Sequence, residues 1–232
     1  MGRFSTMGAL LALGALASGC GTLNGAQPLS EGEHMMGVTF GGPVLMALGP
    51  PIPVPNLVLE GRSGMSRIGG HPFDVNYGLN LTAGAFGVMG IHGGSSLGLS
   101  AGEGWIPSIA VTERLFINHN YFDITKESET RDISFVNQLD VTFGWALGDH
   151  LLYAGLTDYV DFGNPTLLLG PFLGAEIRPW DRDFLFQLEV RHMGATFEPE
   201  MADVDFLTTG TGVIAFTFSV GWTLGDEKEE SK

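Results

Sequence analysis

The sequence predicts an all-β protein, an antiparallel transmembrane β-barrel of about eight to ten strands. Three observations predict it. Apolar and polar residues alternate with period two over runs of about ten residues, the length a tilted strand needs to cross a bilayer. Charged residues make up only 16% of the chain while apolar residues hold an ordinary 44%, and Gly, at 35 residues, fills much of the difference. No apolar run of helical spanning length follows residue 20.

The clearest run is Phe73-Asp74-Val75-Asn76-Tyr77-Gly78-Leu79-Asn80-Leu81-Thr82. Phe73, Val75, Tyr77, Leu79 and Leu81 share one face, and Asp74, Asn76, Gly78, Asn80 and Thr82 share the other. Ile214, Phe216, Phe218, Val220, Trp222 and Leu224 alternate with small polar residues in the same way. So do Leu139, Val141, Phe143 and Trp145, and Phe184, Phe186, Leu188 and Val190. In all, ten runs read as strands, near 34–48, 55–66, 73–83, 85–98, 107–117, 132–147, 150–161, 167–178, 184–195 and 212–224. Gly41-Gly42-Pro43 and Pro171 should each mark a bulge or a strand end, because proline gives no N–H to a ladder.

Connections alternate in length in the second half. Gly148-Asp149-His150 and 178–183 are tight, while 118–131 and 196–211 are long and polar. Trp105, Trp145, Trp180 and Trp222 all fall at the tight-turn end, where an indole with an apolar ring and a polar N–H forms an interfacial girdle.

A narrow barrel fills its lumen with side chains, and charges buried there need partners. Glu60 and Arg62, Glu176 and Arg178, and Glu189 and Arg191 sit two apart and so share a face within each run. They are expected to form an internal salt-bridge network that plugs the barrel. The eighth and ninth runs are joined by a tight turn, so their charges are expected to pair across the ladder. No His-x-His or Glu-x-x-His spacing supports a metal site. No nucleophile elbow, phosphate loop or paired cysteine motif appears, so no catalytic residue is assigned and no cofactor is expected.

The N-terminus carries a different signal. Arg3 precedes the apolar stretch Met7-Gly8-Ala9-Leu10-Leu11-Ala12-Leu13-Gly14-Ala15-Leu16, then Ala17-Ser18-Gly19 and the one cysteine, Cys20. The stretch is too short to span a bilayer and has the flanks of an export signal. Its ending resembles a bacterial lipoprotein signal, which implies that Cys20 carries a covalent lipid and becomes the mature N-terminus. Gly21 in the next position implies, on the same resemblance, the outer membrane. The chain then divides into a signal (1–19), a flexible tether (20–33), a barrel (34–225) and a charged, disordered tail (226–232). With a lipidated Cys20 in the periplasmic leaflet and an even strand count, the tight turns lie in the periplasm and the long loops outside.

The net charge of −15 excludes nucleic acid as a partner, since that affinity comes from Lys and Arg on phosphate. The general pattern resembles the small Gram-negative Omp-type barrels. That resemblance implies outer-membrane lipid and the outer-membrane assembly machinery as partners. The function expected first is a structural or interaction role with a plugged lumen and recognition loops at 118–131 and 196–211. A small-solute pore, a membrane-embedded lipid-modifying enzyme and a soluble periplasmic lipocalin-like lipoprotein are the alternatives. The last would turn its apolar face inward.

Overall fold

The computed structural model describes residues 23, 26–45, 52–53, 57–81, 88–120, 133–162, 164–167, 169–179, 183–193 and 213–224. Its strands are β1 (His34–Leu45), β2 (Ile52–Pro53), β3 (Leu57–Ile68), β4 (His71–Asn80), β5 (Val88–Ser100), β6 (Ser108–Asn120), β7 (Ile133–Leu147), β8 (His150–Asp161), β9 (Asn164–Leu167), β10 (Gly170–Ile177), β11 (Phe184–Met193) and β12 (Val213–Leu224). Each long strand pairs antiparallel with its neighbours. β12 returns to pair with β1, from His34 opposite Leu224 to Pro43 opposite Ala215, which closes the sheet. Ten strands form the ring among the described residues, and the short β2 and β9 flank β1 and β8. A closed ring leaves no ladder edge unpaired along its circuit.

All ten expected strands are present, with ends shifted by a few residues. The two weak points became ladder ends. Pairing of β1 with β3 stops at Phe40 opposite Leu57, just before Gly41-Gly42-Pro43. β10 begins at Gly170, and its pairing with β11 starts at Phe172, immediately after Pro171.

The polarity of the wall is inverted relative to a water-soluble protein. Alternate residues that face inward are buried and polar: Thr39, Glu60, Arg62, Asp74, Asn76, Thr112, Arg114, Gln138, Asp140, Thr157 and Gln187 among them. Their neighbours face outward and are apolar and exposed, including Phe40, Leu59, Leu79, Ile91, Leu115, Leu139, Leu156, Leu173, Leu188 and Phe218. This is the alternation of a barrel bathed in hydrocarbon. It excludes the lipocalin-like alternative, which needs the apolar face inside. One stretch of the outer wall breaks the pattern: Glu113 hydrogen-bonds Asn137 (3.0 Å), and Asp158 also points outward.

The expected flexible tether at 20–33 is corrected over its described part, residue 23 and residues 26–33. This segment lies inside the barrel mouth and forms a floor across its tight-turn end. It leaves β1 beside β3, where Gly32 N–H donates to Gly64 O (3.2 Å) and Gly64 N–H to Glu33 O (2.8 Å). Leu29 then reaches Asp74 of β4, Pro28 packs near Gly98 of β5, and Ala26 lies with Leu151, Tyr153 and Phe172 of β8 and β10. Leu23 ends the described circuit against Leu185 of β11 and Gly37 of β1. The physical reason is composition. Leu23, Ala26 and Leu29 are apolar side chains that the mouth removes from water, leaving them 1%, 1% and 7% exposed.

Candidate functional site: a charged lumen closed by an N-terminal floor

The lumen is built from side chains on alternate positions of every long strand, so their charges converge on one axis. The lower layer binds the floor through its backbone. Glu60 of β3 accepts from the Leu23 N–H and from Thr39 Oγ1 (3.0 Å), and Thr39 is joined in turn to Ser219 (2.7 Å). Asp74 of β4 accepts from the Leu29 N–H (2.9 Å) and from Arg62 Nη2 (2.5 Å). Arg62 also donates to the Gln27 carbonyl (3.1 Å), and Arg114 of β6 to the Leu23 carbonyl (2.8 Å). Four buried acidic and basic side chains thus supply the partners that backbone N–H and C=O groups lose when they leave water.

Above the floor, Asp140 of β7 is the hub. It accepts from Arg114 Nη1 (3.1 Å), Gln138 Nε2 (2.7 Å) and Arg191 Nη1 (3.1 Å). Arg191 of β11 also donates to Glu189 (2.8 Å), Thr157 (3.0 Å) and Tyr159 (3.1 Å), and its guanidinium lies 4.5 Å from the Phe172 ring centre. Arg114 therefore ties the two layers together, one nitrogen on Asp140 and another on the floor. Arg114 reaches Asp140 from the adjacent strand β6, and Arg191 reaches it across the lumen from β11 while also holding Glu189 of its own strand.

Two expected pairings are corrected. The charges of β10 and β11 do not pair across the ladder. The register puts Glu176 opposite Gln187, Gly174 opposite Glu189 and Phe172 opposite Arg191, so the charged rungs are offset. Each pair instead closes within its own strand: Arg178 with Glu176 at the lower rim (2.7 Å) and Arg191 with Glu189 inside (2.8 Å). Glu60 and Arg62 share the lumen face, but Arg62 pairs with Asp74. Sequence reasoning missed Asp74, Arg114 and Asp140 as members of the network. Asp74 and Asp140 already stood on polar faces of the alternation, and that parity was the available signal.

Trp145 and Trp222 face outward near the tight-turn ends of β7 and β12, and Trp105 is 94% exposed on the turn between β5 and β6. Trp180, Cys20, the loop residues 121–131 and 196–211 and the tail 226–232 lie outside the described residues. His92 faces the lumen, 3.8 Å from Glu60 Oε2 and tilted against Phe116, with neither ring nitrogen in a hydrogen bond among the described residues. Among the described residues, no three His, Cys, Asp or Glu side chains come together to hold a metal ion.

No known protein family matches the chain, and no curated protein does. Solved structures are similar in outline. Ail, the attachment invasion locus protein of Yersinia pestis, is 10% identical, with 84% of this chain and 99% of that chain covered and a TM-score of 0.29. The same protein in complex with the heparin analogue sucrose octasulfate is 11% identical, with a TM-score of 0.27 over 84% of this chain and 99% of that one. A mutant porin of Rh. blastica is 8% identical, with 83% and 98% covered and a TM-score of 0.28.

Proposed function

We propose that this chain is a lipid-anchored outer-membrane β-barrel whose lumen is closed from within, working as a structural or interaction protein through its long-loop end. One observation carries this reading: the floor formed by residue 23 and residues 26–33 and the Asp140 layer above it are tied into one hydrogen-bonded body by Arg114. A lumen crossed by paired charges and then capped by backbone offers solutes no ready path. The outward apolar belt supports membrane insertion. The signal-like N-terminus supports export and a lipid on Cys20, and the positions of the tight turns support a periplasmic N-terminus. On this reading, outer-membrane lipid surrounds the barrel, the assembly machinery inserts it, and 118–131 and 196–211 form the recognition surface. The test is planar-bilayer recording of the purified full-length protein. Bilayers should stay electrically silent. Steady open channels would replace the closed reading with the pore.

A further inference from the structure

We propose that the outer face of the β10–β11–β12–β1 wall is the seat of the acyl chains carried by Cys20. The inference rests on the reading above, that Cys20 is lipidated and the tight-turn end is periplasmic. A groove of about 560 Å³ runs along this wall, and the side chains lining it from outside are all apolar: Phe40, Leu173, Leu188, Val190, Phe216 and Phe218 among them. Ala175 forms part of its base.

What selects the occupant is where the described chain begins. Leu23 packs inside this same wall, in one apolar cluster with Leu185 of β11 and Met35 of β1 and beside Gly37 of β1. Cys20 lies three positions before it, a reach of at most roughly 11 Å. The tight-turn rim at His34 is three residues from Gly37, about 10 Å along the strand. A chain of that length from Leu23 is long enough to bring Cys20 to the rim below the groove, where a thioether and glyceryl group would add the rest of the way round the edge. From other points of the floor the reach would differ. Ala26 lies against β8 and β10, but the chain has already crossed to β11 and β1 by Leu23. The rest of the wall is also a poorer bed for acyl chains, since Ser95, Glu113, Asn137 and Asp158 interrupt its outward face on β5–β8. Apolar chains running up from the rim lose least contact against the β10–β11–β12–β1 side, whose outward face is interrupted by His192 near the long-loop end of β11.

The experiment uses full-length protein acylated in cells with a diazirine-bearing fatty acid, irradiated in the membrane and digested. Mass spectrometry first reads whether the Cys20 peptide carries lipid. Cross-links from that lipid should join the Cys20 peptide to peptides holding residues 185–190 or 214–222. Ala175→Trp, which fills the groove base from outside, should lower their yield several-fold while the folded barrel keeps its heat-modifiable migration. Lipid on Cys20 with cross-links to β4–β7, or spread evenly round the barrel, would overturn the seat and leave the anchor standing. An unmodified Cys20 would overturn both.

Discussion

At the residue scale, Asp140 is the most sensitive position in the lumen. It is fully buried and holds two guanidinium groups, Arg114 and Arg191, that approach from different strands. Asp140→Ala would leave both cations with less compensation in a site that water does not reach. Removing one partner of a buried ion pair costs about 3–5 kcal/mol, so the variant should unfold at clearly lower urea or temperature than the parent in the same detergent. Glu176→Gln at the partly exposed rim neutralises a shorter ion pair, 2.7 Å, yet should change stability by less than about 1 kcal/mol because solvent screens it. Equal effects from the two would show that the Asp140 layer is hydrated. Gly64 is the second sensitive position. A Cβ there would lie 1.8 Å from the Ser30 carbonyl oxygen, which is backbone and has little room to give. Gly64→Ala should therefore lift the floor locally, seen as faster limited proteolysis within 26–33 while the strands stay protected. Gly37→Ala meets chiefly the end of the Leu23 side chain and should do so less, though the Val220 carbonyl also stands 3.1 Å away.

At the scale of elements, the strands could be read from the sequence and the floor could not. Alternation is a local property, repeated within each run, so Phe73 to Leu81 declares its two faces without knowledge of any partner. Closure places those faces, and the polar one goes inside. The pairing of charges is different in kind. Whether Arg62 meets Glu60 or Asp74 depends on the β3–β4 register and on side chains reaching over the lumen, and neither is written in either strand. The floor was hidden for a further reason. Its polar contacts are made by its backbone, at the Leu23 N–H and carbonyl, the Gln27 carbonyl and the Leu29 N–H, and any sequence has those groups. Only Leu23, Ala26 and Leu29 hinted at it, too few to show a period. Deleting residues 21–33 would strip Glu60, Asp74, Arg62 and Arg114 of these partners. Water entering the mouth would replace some of them, so the expected loss is roughly 2 kcal/mol rather than the cost of a dry orphaned charge. Conductance should remain small, because the Asp140 layer still crosses the lumen. A large steady conductance from the floorless barrel would make the floor the sole closure.

At the scale of the whole molecule, the argument turns on what solvent the outer wall was built for. Large apolar side chains such as Leu156, Leu173, Ile91 and Leu188 are each about half exposed, and they continue around the barrel with few breaks. Such a surface is far beyond the apolar patch a water-soluble monomer tolerates. In hydrocarbon it carries no penalty, and the polar groups of the backbone are satisfied within the closed ladder. Membrane association should therefore belong to the wall, whether or not Cys20 carries a lipid. A Cys20→Ser protein should still pellet with outer membranes, resist carbonate extraction and migrate faster on gels before boiling than after it. The lipid, where present, adds an anchor to a body that is already embedded. If Cys20→Ser instead yields a folded protein free in the soluble fraction, the wall is being covered by something other than lipid. The Glu113–Asn137 pair gives an internal check on the same premise. It lies on the outward face among Leu115, Leu139 and Val141, where hydrocarbon offers no hydrogen bonds. Replacing both residues with Leu should stabilise the barrel in lipid vesicles by about 1 kcal/mol, since acidic groups on a lipid face are costly, though less so than basic ones. The same double substitution should do nothing favourable for a protein whose outer wall meets water, because there it only enlarges the exposed apolar area. Opposite signs in these two solvents make the pair a direct reading of which one surrounds the barrel.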